Sequence, residues 1–546
     1  MTPYTAHTDT FARDNLPPAD QWPEFRFDLP DIRYPEHLNC TAELLDNAVG
    51  AGRVDRVALY SRGLAWSYGE LLAKSNQIAR VLREDLGIVP GNRVLLRAPN
   101  TPMMVAAWFG VIKAGGIAVS TMPMLRACEL AVIIDKACVR HAICDARLVG
   151  ELESAAANSG HRVCVIPFGD GDLEGRMASK PAHFENVDTG RDDTCVLAFT
   201  SGTTGKPKAT MHFHRDVMMM ADIFARHILR TNANDIYCGT PPLAFNFGLG
   251  CELVAPLRFG AALALFETPT PEGLLTAIDE FRATTIFTSP TGYRAMLSLA
   301  EGRGLSSLRQ CISAGEPLPK ATSEKWKERT NIRIIDGIGS TEMTHIFISA
   351  PVEEVRPGAT GRPLPGYRAR ILDGNDRPMP AGSEGRLAIK GPTGCRYLAD
   401  GRQRDYVRAG WNVTGDVYVE DEDGYFWFKA RADDMIVSGG YNIAGPEVES
   451  ALMAHDAVAE CAVVAAPDPA RGSIVKAFVV PAAGRNGTEE LGEEIKDFVK
   501  AAIAPYKYPR AVEFVSSLPK TETGKLQRFK LRAAADHPEG FDPFAS

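Results

Sequence analysis

The densest chemistry in the chain is the run Thr200-Ser-Gly-Thr-Thr-Gly-Lys-Pro-Lys208, which follows the apolar residues 195–199. Those five residues read as a buried strand of a parallel sheet. A loop of hydroxyls, glycines and lysines after such a strand is suited to holding a polyphosphate. Glycine lets the backbone come close, hydroxyls and exposed N–H groups donate to phosphate oxygens, and lysine supplies a point charge. The spacing is not that of the GxxxxGK[ST] loop: Gly202 and Gly205 are too close, and Pro207 follows Lys206 where Ser or Thr should stand. Ordinary solvated turns use the same residue types, so the run alone leaves both readings open.

Four further elements share the chain with it. Asp336-Gly-Ile-Gly-Ser-Thr-Glu-Met-Thr-His345 follows residues 332–335, which read as a strand. That places it at the carboxyl end of a sheet strand, where α/β proteins put ligands. Its GxG lacks the third glycine of a dinucleotide fingerprint, and a tight turn into a helix is the plainer alternative. Ser313-Ala-Gly-Glu-Pro317 is a short loop after Cys311-Ile312. Asp416 offers a carboxylate that accepts from a pair of ribose hydroxyls, and Arg431 stands fifteen residues on. Lys525 lies in Leu518-Pro-Lys-Thr-Glu-Thr-Gly-Lys525, a turn in which lysine is ordinarily a solubilising charge.

Together and in this order the five resemble the motifs of the adenylate-forming superfamily: acyl-CoA and aryl-CoA synthetases, luciferases and peptide-synthetase adenylation domains. The resemblance covers nearly the whole chain beyond the first forty residues. It implies that Thr200, Ser201, Gly202, Thr203, Thr204, Gly205, Lys206 and Lys208 grip the phosphates of ATP. Gly315, Glu316 and Pro317 would stack on adenine, and Asp336, Gly337, Ile338, Gly339 and Ser340 would line the nucleotide. Thr341 would meet a phosphate and Glu342 would help to hold Mg²⁺, a cation suited to a carboxylate oxygen. Asp416 and Arg431 would take the ribose, and Lys525 would be the catalytic lysine that bridges the substrate carboxylate and the α-phosphate. One departure stands in the first loop, where Ala209 replaces the usual glycine and does not favour a positive φ.

The reaction so implied has two halves. A carboxylate attacks the α-phosphate to give an acyl-adenylate and pyrophosphate, and a thiol then displaces AMP. The resemblance implies a swivel of the C-terminal domain at Asp433, with Ser438, Gly439 and Gly440 brought to a pantetheine tunnel for the second half. Coenzyme A is the expected thiol, because no carrier domain follows Lys525 before Ser546.

For the acid, Pro242-Leu-Ala-Phe-Asn-Phe-Gly248 resembles the gate segment of benzoate-type CoA ligases, with Phe245 at the gate. Gly339 and His345 match that group's ring-lining positions, and Phe245, Phe247 and Ile346 would supply apolar walls. Asn246 stands where simple benzoate ligases carry a small apolar residue, and it offers both a donor and an acceptor to a substituted ring. The overall likeness to 2-aminobenzoate–CoA ligases makes an ortho-substituted benzoate the expected acid, with benzoate beside it. Val437, where lysine often stands, keeps a medium-chain fatty acyl-CoA synthetase as the alternative, and an AMP or acyl-AMP sensor is the non-enzymatic one.

The elements that must position these residues are of α/β type. Residues 94–96, 117–119, 262–266, 285–288 and 332–335 read as strands, and Pro271 to Arg282 as a helix capped by Thr270 with Leu274, Leu275, Ile278 and Phe281 on one face. Antiparallel hairpins are expected at residues 391–424, where Asp423-Gly424 signals a turn. Beyond Arg431 come strands at 462–466 and 475–480 and a helix near 489–504 striped by Leu491, Ile495, Phe498 and Ala502. The expected architecture is a large N-terminal domain, residues 1–431, of stacked α/β sheets plus a β-barrel-like subdomain, and a small mobile α+β domain, residues 432–546.

A net charge of −8 argues against nucleic acid as a partner. Eleven cysteines without a CxxC pair read as buried reduced thiols, neither a disulfide frame nor a zinc site. The polar start carries no secretory h-region, and residues 103–112 are too few to span a membrane. The expectation is a cytoplasmic monomer or homodimer that uses ATP, Mg²⁺, coenzyme A and an aromatic carboxylic acid.

Overall fold

Short runs of two to seven residues, most of them apolar, form the strands of two large sheets in the computed structural model, which describes residues 4–200, 207–300, 303–438, 441–468, 472–503, 506–520 and 526–536. The first sheet has the order Cys164–Phe168, His141–Asp145, Arg93–Arg97, Ile117–Thr121, Thr194–Thr200, Lys208–Phe213. Its first five strands are parallel and the last is antiparallel, with Thr200 opposite Lys208. Lys208, expected in the loop, is therefore the first residue of a strand. The second sheet has nine strands, from Arg362–Pro363 at one edge to Leu64–Ser67 at the other. Six parallel strands form its centre, and antiparallel strands close both edges.

The strand expected at 332–335 is Ile334–Gly339 and runs through half of the glycine motif. Asp336 and Gly337 find parallel partners in Ser313 and Ala314, so the backbone stays extended. The chain then returns as the antiparallel strand Ile346–Ser349, not as a helix. Likewise the expected strand at 262–266 closes after Ala264.

Helices fill the space between and outside the sheets. Pro271–Phe281 begins as its sequence requires, with Thr270 Oγ1 accepting from the Gly273 amide and Leu274, Leu275 and Ile278 buried. Pro102–Lys113 is buried from Met104 to Lys113, hence its apolar composition, and Lys113 meets Asp46 at 2.6 Å. Among the described residues no helix is long and apolar enough to cross a membrane. One apolar core reaches across both sheets, joining Leu96 and Val196 to Phe287 and Ile335.

Five antiparallel strands, Arg368–Leu372, Glu384–Lys390, Val407–Arg408, Trp411–Glu420 and Phe426–Arg431, form a further unit, with Asp423-Gly424 in the expected turn. Beyond Arg431, a hairpin (Met435–Ser438, Tyr441–Ala444) and a three-stranded sheet (Val458–Asp468, Gly472–Pro481, Ala511–Phe514) pack with helices around two apolar clusters of their own. The Glu489–Ala502 helix buries Leu491, Ile495 and Val499. Phe498 and Ala502 fall outside that stripe, because the buried face advances by four residues from Ile495 to Val499; Phe498 instead lies edge-on to His455.

Every cysteine is a free thiol, although Cys128 and Cys164 are exposed and not buried as expected. Cys40, Cys195 and His214 meet in the core within 4.8 Å. There the His214 Nδ1 accepts from the Cys40 amide at 3.1 Å, which occupies the lone pair a metal would need.

Candidate active site

Most of the residues expected at the nucleotide gather at the carboxyl ends of the two sheets. Thr200 ends its strand with a sealed Oγ1 that has no partner among the described residues. Ser201, Gly202, Thr203, Thr204, Gly205 and Lys206 lie outside the described residues. Across the hairpin, Lys208 Nζ donates to the Tyr397 hydroxyl at 2.9 Å and stands 3.6 Å from Glu342 Oε1. Tyr397 in turn donates to that Oε1 at 2.5 Å. Lysine, phenol and carboxylate thus form one cluster around the buried Tyr397, and the second oxygen of Glu342 has no hydrogen bond among the described residues.

The motif turn is held by its own side chains. Ser340 Oγ accepts from the Met343 amide at 3.2 Å and lies 3.2 Å from the Tyr406 hydroxyl. Thr341 gives its carbonyl to the Thr344 amide at 3.1 Å. Gly339 sits where a Cβ would lie 2.7 Å from the His345 carbonyl oxygen, so only glycine lets the return strand approach. Asp336 has a sealed Oδ1 without a partner among the described residues, and burial pushes its carboxyl up to about 8. Gly337 and Ile338 continue the strand beside it.

Asp416 and Arg431 face each other across antiparallel strands, with Arg431 Nη1 3.0 Å from Asp416 Oδ1. Gly415 between them has φ +78°, and the Arg431 guanidinium lies 3.2 Å from where its Cβ would be. The fifteen-residue spacing is thus the register of a hairpin. In the neighbouring turn Gly315 has φ +88°, Glu316 Oε2 accepts from Thr291 Oγ1 at 2.9 Å, and Pro317 follows.

On the acid side, Asn246 is buried and its Nδ2 lies 2.9 Å from His212 Nε2 and 3.4 Å from the Thr341 carbonyl oxygen. The amide expected to offer both donor and acceptor to a ring has its donor already engaged. His345 is buried beneath the turn: its Nε2 lies 3.2 Å from Cys251 Sγ and its ring 5.6 Å from that of Phe224. Burial lowers both His212 and His345 to about 3, so both are neutral. Phe245 and Phe247 are half-buried, Phe247 lies against the ring of Phe287 at 6.3 Å, and Ile346 is buried on its strand.

Tyr397, Tyr406 and His212 complete the constellation and were not named from the sequence. Tyr397 follows Arg396, whose buried pairing with Asp216 joins residues 180 apart and has no local pattern in the sequence. His212 in the apolar strand Lys208–Phe213 reads by default as a core histidine. Of the C-terminal residues, Ser438 is buried at the end of its strand and Asp433 lies in the short turn Ala432–Asp434. Gly439, Gly440 and Lys525 lie outside the described residues, although Lys520 and Leu526 pair across residues 521–525.

Comparison with known proteins agrees with this arrangement. The AMP-binding enzyme family matches residues 45–397, and the AMP-binding enzyme C-terminal domain matches residues 447–525. The chain is 35% identical to the benzoate–CoA ligase of Thauera aromatica, over 92% of this chain and 98% of that one. It is 33% identical to the mitochondrial acyl-coenzyme A synthetase ACSM3 of Mus musculus, over 92% and 91%. The crystal structure of the anthranilate CoA ligase AuaEII in complex with anthranoyl-AMP superposes with a TM-score of 0.90 at 34% identity, over 93% of this chain and 99% of that one. Matched by this family over more than half of its length and by such ligases over most of theirs, the chain belongs to the AMP-binding enzyme family, among its adenylate-forming acyl-CoA ligases.

Proposed function

We propose that the protein joins an aromatic carboxylic acid, 2-aminobenzoate or benzoate, to coenzyme A at the expense of ATP, through an acyl-adenylate. The observation that carries the aryl reading is the acid-side wall: Phe245 and Phe247 half-buried beside Asn246, next to a motif turn whose Gly339 carries no side chain. Apolar rings stack on such a wall, and one polar group orients them. The likeness to the anthranilate and benzoate ligases points the same way.

In this reading Thr341 and the 200–208 segment hold the phosphates, Asp416 and Arg431 the ribose, and the 315–317 turn the adenine. Glu342 fits Mg²⁺: its Oε1 accepts the hydrogen bond of the Tyr397 hydroxyl and its Oε2, without a hydrogen bond among the described residues, is a hard oxygen ligand. The ion, when bound, offsets charge on the phosphates. The unit from residue 432 onward swivels at Asp433, carrying Lys525 to the first half-reaction and the face of Ser438, Gly439 and Gly440 to the second.

A second reading, an aliphatic acyl-CoA synthetase, is favoured by the ACSM3 likeness. Pyrophosphate exchange with a panel of acids, followed by kcat/KM for 2-aminobenzoate, benzoate and hexanoate, separates them. Ring acids should lead. A hexanoate preference would sink the aryl assignment, and no exchange with any acid would leave only nucleotide sensing.

A further inference from the structure

The amide of Asn246 is oriented by hydrogen bonds that run in one direction only. A carbonyl oxygen accepts and never donates, so the Asn246 atom 3.4 Å from the Thr341 oxygen is Nδ2. The same Nδ2 lies 2.9 Å from His212 Nε2 and donates there too. His212 therefore carries its proton on Nδ1, which donates to Thr344 Oγ1 at 3.2 Å. Thr344 holds that oxygen in place from the left-handed region, φ +72°, a costly conformation for a β-branched residue. With Nδ2 engaged twice, Asn246 Oδ1 has no hydrogen bond among the described residues. The amide abuts the backbone of Thr341, the residue assigned above to the phosphate. The ring position nearest to it is accordingly the one beside the reacting carboxylate.

Resting on the aryl-acid reading above, we propose that Asn246 Oδ1 accepts a hydrogen bond from a primary amine at ring position 2. His212 and Thr344 are then positioning residues that keep an acceptor, not a donor, turned to the ring. A 2-amino group carries two N–H bonds. Its own carboxylate takes one, and the second is left for Asn246. A 2-hydroxyl has a single proton, which its carboxylate takes, and a 2-fluoro group has none. Both set an acceptor against an acceptor, which leaves a buried polar atom unpaired.

The test is kcat/KM of the full chain with 2-aminobenzoate, 2-hydroxybenzoate, 2-fluorobenzoate, benzoate and hexanoate. The 2-amino acid should exceed its 2-hydroxy and 2-fluoro analogues by about tenfold or more, the scale of one unpaired buried group. In His212→Gln the new amide donates or accepts equally well and only the 3.4 Å contact with the Thr341 carbonyl still orients Asn246, so the ratio of 2-amino to 2-fluoro turnover should fall. A general packing defect would lower both rates and leave their ratio alone, and an unchanged ratio in the folded variant removes His212 from the proposal. Wild-type turnover of the 2-fluoro or 2-hydroxy acid equal to the 2-amino acid overturns the proposal while the aryl reading stands. Hexanoate above every ring acid overturns both, and the wild-type series decides even where the variant does not fold.

Discussion

Tyr397 is sealed from solvent between groups of opposite charge, donating to Glu342 Oε1 at 2.5 Å and accepting from Lys208 Nζ at 2.9 Å. Burial, followed by the charges nearby, including that of Glu342, raises its pKa far above the ordinary phenol value, so the proton stays on oxygen. The phenol fixes which Glu342 oxygen is taken and keeps Lys208 from closing on the carboxylate. Tyr397→Phe removes both of these hydrogen bonds, and losing the one to the Glu342 carboxylate alone costs about 1.5–3 kcal/mol, which is about a tenfold effect or more. The Mg²⁺ concentration for half-maximal pyrophosphate exchange should rise by that factor while KM for the acid stays put. A wild-type Mg²⁺ requirement would show that Glu342 keeps its place without the phenol. Lys208 and Glu342 were legible because each stands in a motif. Tyr397 was not, since it is 189 residues from one and 55 from the other and meets them only through the folded sheet.

Residues 393–398 act at the next scale as a strap laid along the Lys208–Phe213 strand. The Met211 amide donates to the Arg396 carbonyl at 2.8 Å and the Leu398 amide to that of Ala209 at 2.8 Å. Thr393 Oγ1 donates to the Met343 carbonyl at 2.7 Å, tying the same strap to the motif turn. Its anchor is the ion pair of Arg396 with Asp216, both fully buried, with the guanidinium 3.9 Å above the ring of Phe213. Asp216→Ala leaves that guanidinium buried and unpaired, a loss of about 3–5 kcal/mol. The denaturation midpoint should fall accordingly, and the variant should share the raised Mg²⁺ requirement of Tyr397→Phe. A midpoint within error of wild type would mean that water reaches Arg396 and the anchor is dispensable. Elements whose pattern is local were legible here, such as the Thr270-capped helix and the Asp423-Gly424 turn. The strand that runs on through Gly339 was not, because residues 336–339 are extended only by virtue of their neighbours 313–314 and 346–349.

Across the whole molecule, the two apolar clusters made only of residues beyond Arg431 give that unit a core of its own, including Ile436, Val463, Phe478 and Leu531. A unit that buries its own apolar surface keeps its shape when it moves, and a short turn at its root is a suitable hinge. By sequence Lys525 lies between Lys520 and Leu526, which pair within this unit, and so belongs to it and not to the sheets proposed to hold the nucleotide. In the reaction proposed above the lysine is needed at the phosphate in one placement of the unit, and the thiol step proceeds without it. Two anions must approach in the first half-reaction, and a cation placed between them stabilises the charge that builds up. Lys525→Ala should therefore abolish pyrophosphate exchange, yet supplied acyl-adenylate should still pass to coenzyme A at a rate within several-fold of wild type. Equal loss of both half-reactions would place the lysine in the thiol step as well, and the two placements would no longer divide the work.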